Sequence, residues 1–235
     1  MSYCYTAIRK NIWQIAEDDG VCCTLIRGSR QALLIDTGYG RRDLRTFIES
    51  RLSTPYQVIC SHCHPDHTGG NFRFDAVSLP ERDLPLLPLY GTGQSPAPHS
   101  VSAGTRLDLG ALHVTLVPLY GHTQGSLGFL VEEERLLVTG DAFNEWLWLF
   151  TPGSLSLREL RQTPLETVKL PFDSYLCGHS QEEYPRDKLW THVCNIDQLQ
   201  IDETTRQTLL GFETYTSSYA DHRGHSAIVF SPDKL

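Results

Sequence analysis

The chain has 235 residues, with 20 lysines and arginines against 28 aspartates and glutamates, for a formal net charge of −8. That balance argues against a protein that grips a phosphate backbone, which needs clustered cations, so nucleic acid is not an expected partner. Seven cysteines, an odd number at irregular spacing, suit a reducing compartment better than a disulfide framework.

The chain opens without a basic segment, apolar run and cleavage site, and no apolar stretch is long enough to cross a bilayer. A soluble, cytoplasmic protein with no membrane partner is expected, folded as one domain over residues 1–235. Hairpins are predicted first: Thr6 to Ala16 and Val21 to Ile26 around Asp18-Asp19-Gly20, then Gln31 to Ile35 after Gly28. Leu44, Phe47, Ile48 and Leu52 recur at helical spacing. Val58-Ile59-Cys60 then reads as the end of a buried strand.

That strand runs into Ser61-His62-Cys63-His64-Pro65-Asp66-His67-Thr68-Gly69-Gly70, which crowds imidazoles and a carboxylate as neither a hydrated surface nor a core requires. Such donors suit a borderline cation like Zn²⁺. Alternation sends His62 and His64 to one side, where they can share an ion. Pro65 breaks the strand, and Asp66 is expected to cap a short helical turn that sets His67 beside it, a second pair pointing elsewhere. Two ions are therefore suggested, and Gly69 and Gly70 are expected to give a tight turn beside them. Cys60 and Cys63 form a C-x-x-C, but with His62 inside it a redox dithiol is not expected, and Cys63 should be directed away from the metals.

From Leu84 to Thr105 proline, glycine and serine are frequent, and the segment reads as a loop passing over the surface, with a border to the site as the alternative. Further donors recur in one design, an apolar strand, a glycine and then the donor. Leu112 to Pro118 leads to Gly121-His122, Leu136 to Thr139 to Gly140-Asp141, and Tyr175 to Cys177 to Gly178-His179.

In this arrangement the chain resembles the metallo-β-lactamase superfamily, whose order H-x-H-x-D-H, then histidine, aspartate and histidine, is matched by His62, His64, Asp66, His67, His122, Asp141 and His179. Leu33-Leu34-Ile35-Asp36-Thr37-Gly38 resembles that family's early strand and Asp-Thr-Gly. The resemblance implies an α+β fold, a four-layer αββα sandwich of two mixed β-sheets packed face to face with helices outside. It implies two divalent metal ions, zinc ahead of iron or manganese: His62, His64 and His122 on the first, Asp66, His67 and His179 on the second, and Asp141 bridging. Asp36 would then be no ligand; with the hydroxyls of Thr123 and Ser126 it would orient imidazoles and loops, a plain turn aspartate being the other reading.

A metal-bridging hydroxide acting on an ester, thioester, lactone or amide of a small molecule follows from that resemblance, with Asp66 or a metal-bound water handling the leaving group's proton. Asp141 sets the chain apart from the zinc β-lactamases, and His64 from the flavodiiron oxygen reductases, which place a glutamate there. Glyoxalase II is similar in its metal motif, but its extended glutathione-binding region is not evident. Two other classes stay open: a mononuclear iron dioxygenase acting on sulfur substrates, and a metal-bearing binding or regulatory protein without turnover.

Phe143-Asn144-Glu145-Trp146-Leu147-Trp148-Leu149-Phe150 is too aromatic for a solvated loop. It reads either as a wall facing an apolar acyl or aryl portion of the substrate, with Tyr39 a weaker candidate for the same rim, or as core packing or a homodimer contact. Leu189, Val193 and Ile196 recur at helical spacing, and Ala227-Ile228-Val229-Phe230 reads as a closing strand. His99, His113 and His192 have no assignment, and His222 and His225 read as surface residues of a turn.

Overall fold

The computed structural model describes residues 3–17, 20–90 and 96–235; Asp18 and Asp19 of the first expected turn, and residues 91–95 of the expected surface loop, lie outside the described residues. Apolar runs at the start of the chain form β1 (Cys4–Arg9), β2 (Ile12–Ala16), β3 (Cys22–Arg27) and β4 (Ala32–Ile35), paired antiparallel in that order. The sheet continues in parallel through β5 (Tyr56–Ile59), β6 (Ser78–Pro80) and β7 (His99–Val101). Between them lie α1 (Leu44–Glu49), the short α2 (Pro65–Thr68) and α3 (Leu87–Tyr90). The expected surface loop is thus partly built into the sheet, because His99 to Val101 pairs with Ser78 to Pro80.

A second mixed sheet holds β8 (Arg106–Asp108), β9 (His113–Pro118), β10 (Leu127–Val131), β11 (Leu136–Val138), β13 (Ser174–Leu176) and β14 (Tyr184–Pro185). Alternation along the strands divides the core. Leu33 and Ile35 point inward to meet Val114, Leu116, Phe129 and Leu136 between the sheets. Leu34 points outward, where Leu25, Val58 and the α1 residues Leu44 and Ile48 gather. On the far side Leu137 and Tyr175 pack with Phe143 and with Leu189 of α5 (Leu189–Asp197). The resulting order of helix, sheet, sheet, helix is the expected sandwich.

A third, four-stranded sheet was not expected. It orders β12 (Trp146–Leu149), β17 (Gly224–Phe230), β16 (Phe212–Asp221) and β15 (Thr205–Leu209). Leu147, Leu149, Ile228 and Phe230 bury one face against Leu157 and Leu160 of α4 (Leu157–Thr167). That helix starts at Ser156 because its hydroxyl caps Glu159 N–H while the Glu159 carboxylate returns to the Ser156 N–H. The expected closing strand at Ala227 to Phe230 is part of β17. Among the described residues no helix is long and apolar enough to cross a membrane.

β9, β11 and β13 run in one direction, since β9 and β11 are both antiparallel to β10 and β11 is parallel to β13. Residues just past their carboxyl ends therefore collect at one edge of the sandwich, where the segment leaving β5 also arrives.

Candidate metal centre

Each histidine of the first group lies just beyond a strand. His62 Nε2 is 3.1 Å from His64 Nδ1, which is 2.8 Å from His122 Nε2. Their hydrogens follow from what lies behind each ring. His122 Nδ1 is 2.8 Å from the carbonyl oxygen of Trp148, which only accepts, so Nδ1 carries the proton and Nε2 is bare. Ser61 Oγ gives its one hydrogen to Asp36 Oδ2 at 2.9 Å and so accepts from His62 Nδ1 at 3.0 Å. Ser154 Oγ donates to the His122 carbonyl, so Thr151 Oγ1 donates to Ser154 and accepts from His64 Nε2 at 3.3 Å. Three unprotonated nitrogens therefore face one another.

Burial keeps these rings neutral. It holds His62 well below the usual imidazole range, lowers His122, and pushes His64 down to about 3, with His122 adding to the effect. Three lone pairs at this separation repel unless a cation sits among them, and nitrogens about 2.1 Å from one tetrahedral Zn²⁺ would be spaced only slightly wider, at about 3.4 Å. The donors fit a borderline divalent cation.

The second group joins Asp66, His67, Asp141 and His179. His67 Nδ1 donates to Asp36 Oδ2 at 2.8 Å, which turns Nε2 toward Asp141 Oδ1 at 3.1 Å and Asp66 Oδ2 at 3.5 Å. His179 Nε2 lies 3.1 Å from Asp141 Oδ2 and 3.3 Å from Asp66 Oδ2. His67 Nε2 and Asp141 Oδ1 are buried, and neither makes a hydrogen bond despite their proximity. Such orphaned acceptors are what a cation satisfies. Asp141 Oδ2 is also 3.6 Å from His122 Nε2, so this one carboxylate reaches both groups. With no cation counted, burial disfavours charge on His67, but Asp141, Asp66 and Asp36 outweigh it and hold the ring well above its usual range. Asp141 holds His179 up, to about 10.

Asp36 ties the groups together. Its Oδ1 accepts from Ser61 N–H at 2.6 Å, its Oδ2 accepts from Ser61 Oγ and His67 Nδ1, and its backbone sits at φ 66°. It is the orienting residue of the two sequence readings, and the left-handed backbone aims its carboxylate inward. Thr123 and Ser126 bond each other and Thr123 bonds Asp83; they shape the His122 loop, and among the described residues neither hydroxyl hydrogen-bonds an imidazole. Asp83, which no motif announced, also accepts from Cys63 N–H at 3.1 Å, so a single buried carboxylate joins the loops carrying His62, His64 and His122.

Two local expectations need correcting. Asp66 is inside the first turn of α2 and does not cap it; His64 occupies the cap position, and its side chain makes no capping bond to the turn. Gly69 is required not by a tight turn, since C-cap Gly69 has a φ of −59°, but by close approach: a Cβ there would meet Tyr39 O at 2.5 Å. His222 and His225 join no candidate metal group among the described residues. His113 does fall near Glu132 and Glu133, but Arg106 and Thr115 bond Glu132, and the His113 N–H and ring bond Glu133.

His64, Asp66, His122, Asp141 and His179 open on a cavity of about 520 Å³, whose other walls include Tyr39, Tyr90, Trp146, Trp148 and Leu210. Tyr90 lies 4.9 Å from the His64 ring, so the proline-rich segment does border the site. The aromatic stretch divides between its two readings. Phe143, Leu147, Leu149 and Phe150 are buried, while Trp146 and Trp148 alternate to the cavity side.

A model of the metallo-beta-lactamase superfamily matches residues 16–180. The acyl-coenzyme A thioesterase of Homo sapiens is 24% identical over 172 residues, 57% of this chain and 58% of that protein. Hydroxyacylglutathione hydrolase of Xanthomonas oryzae is 28% identical over 173 residues, 70% of this chain and 62% of that protein. Atrochrysone carboxyl ACP thioesterase of Aspergillus fumigatus is 31% identical over 121 residues, 50% of this chain and 28% of that protein. The chain thus spans less than two thirds of the length of each of these relatives. Among solved structures, a metallo-beta-lactamase from Pontibacter korlensis superposes with a TM-score of 0.70 at 17% identity, covering 84% of this chain and all of that one, a likeness of fold.

Proposed function

The chain belongs to the metallo-beta-lactamase superfamily, and from that premise we propose that it is a metal-dependent hydrolase of small-molecule thioesters. The observation that carries the reading is the convergence of seven donors in two groups with Asp141 between them, five of which face one cavity while His62 and His67 are buried behind it. His62, His64 and His122 would hold one divalent cation, Asp66, His67 and His179 a second, and Asp141 both. The completeness of the second group favours two ions over the single iron of a dioxygenase, and its nitrogen and carboxylate donors are compatible with zinc. Because the donors come from both sheets, the site also supports reading the chain as one domain.

Cations held there would polarise an acyl carbonyl and acidify a water. The chain's own groups do the rest. Asp36 and Ser61 fix the His67 and His62 tautomers, and the Trp148 carbonyl fixes that of His122. In hydrolysis the C–S bond breaks, the water oxygen joins the acyl carbon, and a carboxylate and a thiol leave. A thiolate departs without prior protonation, whereas an amine does not. Despite burial, His67 and His179 keep the Asp66 carboxyl well below its usual range, so it holds no proton to donate to a poor leaving group. Thioesters are thereby favoured over amides, and two of the three relatives are named thioesterases.

The test is metal analysis joined to a panel of thioesters, lactones, esters and amides, with thiol release followed by colour. Two zinc ions per chain and thioester turnover, abolished by a chelator and reduced at least a hundredfold in Asp66→Asn, are expected. Turnover of amides alone, or a flat panel in the metal-loaded protein, would overturn the proposal.

A further inference from the structure

Leu210 is the most exposed large apolar side chain of the described residues, 73% open, and its backbone has a φ of 49°. It forms with Gly211, at φ 86°, the two-residue turn closing the β15–β16 hairpin, whose last pair is Leu209 and Phe212. Such a turn asks for asparagine or aspartate followed by glycine, and a leucine in its first place costs about 1 kcal/mol. The fold recovers neither that strain nor the exposure. Yet Leu210 lines the cavity that holds the metal donors.

The surface below it is built to match. Alternation puts Trp146 and Trp148 on the face of the third sheet opposite its buried Leu147 and Leu149, and Phe150, itself buried, follows directly. The rings of Trp148 and Phe150 are 5.0 Å apart, and Phe150 and Phe212 are 5.9 Å apart, so a continuous aromatic run joins the cavity wall to the hairpin. Trp146 is 57% exposed beside it. An exposed apolar wall of this kind, continuous with a set of polar donors, is the form of a site that binds a ligand with one reacting polar end.

We propose that Leu210, Trp146 and Trp148 form a subsite for the apolar acyl or aryl arm of the substrate, with Leu210 setting the preferred length. This rests on the thioesterase reading only for the identity of the reacting end. Leu210 and Phe212 lie outside residues 16–180 matched by the superfamily model, whereas Trp146 and Trp148 lie within them.

Leu210→Asn tests it, because asparagine takes the left-handed conformation readily and removes the apolar side chain without opening the turn. The variant should melt at or above the wild-type temperature. Its ratio of kcat/KM for decanoyl over acetyl thioesters of one thiol should fall about tenfold. Independently of turnover, decanoate should quench tryptophan fluorescence of the isolated protein, acetate should not, and the decanoate Kd should rise about tenfold in Leu210→Asn. A weakened decanoate affinity in a protein that cleaves no thioester supports the subsite and removes the hydrolase reading. Thioester turnover with decanoate affinity unaltered by the substitution overturns the subsite and leaves the hydrolase reading intact, as does a wild-type protein that does not bind decanoate.

Discussion

His122 donates from Nδ1 to the main-chain carbonyl of Trp148, 2.8 Å away, so the strand that lays an indole along the cavity also fixes the tautomer of a proposed metal ligand. The two roles belong to different atoms and can be separated. Trp148→Ala keeps the carbonyl and deletes the indole, so its metal content should match wild type while decanoate binding weakens. Elemental analysis beside the fluorescence titration checks this; loss of metal from Trp148→Ala would mean that the ring, not the carbonyl, holds His122.

Asp36 should matter nearly as much as a ligand. Asp36→Ala leaves Ser61 N–H, Ser61 Oγ and His67 Nδ1 without their acceptor in a buried place. Partners behind metal ligands typically contribute 10–100-fold to metal affinity, and a loss of about that size is expected in a chelator competition. Since bound metal stabilises by mass action, excess chelator should lower the wild-type melting temperature and affect Asp36→Ala less. Equal chelator sensitivity in both proteins would contradict the role.

The proposed ligands were legible because each follows an apolar strand that ends at a turn, a pattern local in sequence. What held them in place was not. Asp83 reaches Cys63 and Thr123 across 20 and 40 positions, with no motif around it. The third sheet escaped notice because Phe212–Asp221 has little apolar alternation, only Thr214 of its residues being buried. α4 escaped because Pro164 lies inside it, although Ser156 and Glu159 carried a capping signal that could have found it. The role of Leu210 depends on an exposure and a backbone angle that only the folded chain displays.

Gly178 should be intolerant of any side chain for a reason specific to the second group. A Cβ there would lie 2.2 Å from Asp141 Oδ1 and 2.8 Å from His67 Cε1. Gly178→Ala must therefore displace Asp141, the proposed bridging ligand, and metal content should fall, with the proposed second site emptied before the first, while the circular dichroism spectrum is retained. A variant with two tightly held ions would show that Asp141 has room to move.

His192 offers a pH prediction away from the metals. It is buried in α5, its Nδ1 is 3.0 Å from Ser226 Oγ, and its Nε2 has no partner. Burial first, and then Lys188, push its pKa down to about 3 from a usual value of 6.5. The unfolded chain therefore takes up a proton between those values that the folded protein refuses, so stability is fully present above pH 6.5 and falls as the solution is acidified toward pH 3. By pH 5 this one ring should cost about 2 kcal/mol relative to pH 8. His192→Gln keeps a polar partner for Ser226 and cannot ionise, so its loss of stability from pH 8 to pH 5 should be smaller than wild type by about that amount. The metal-site histidines titrate in both proteins and cancel in the comparison. Parallel stability curves from urea unfolding at the two pH values would show that His192 is already protonated in the fold, with Nε2 bonded to a group that accepts its hydrogen.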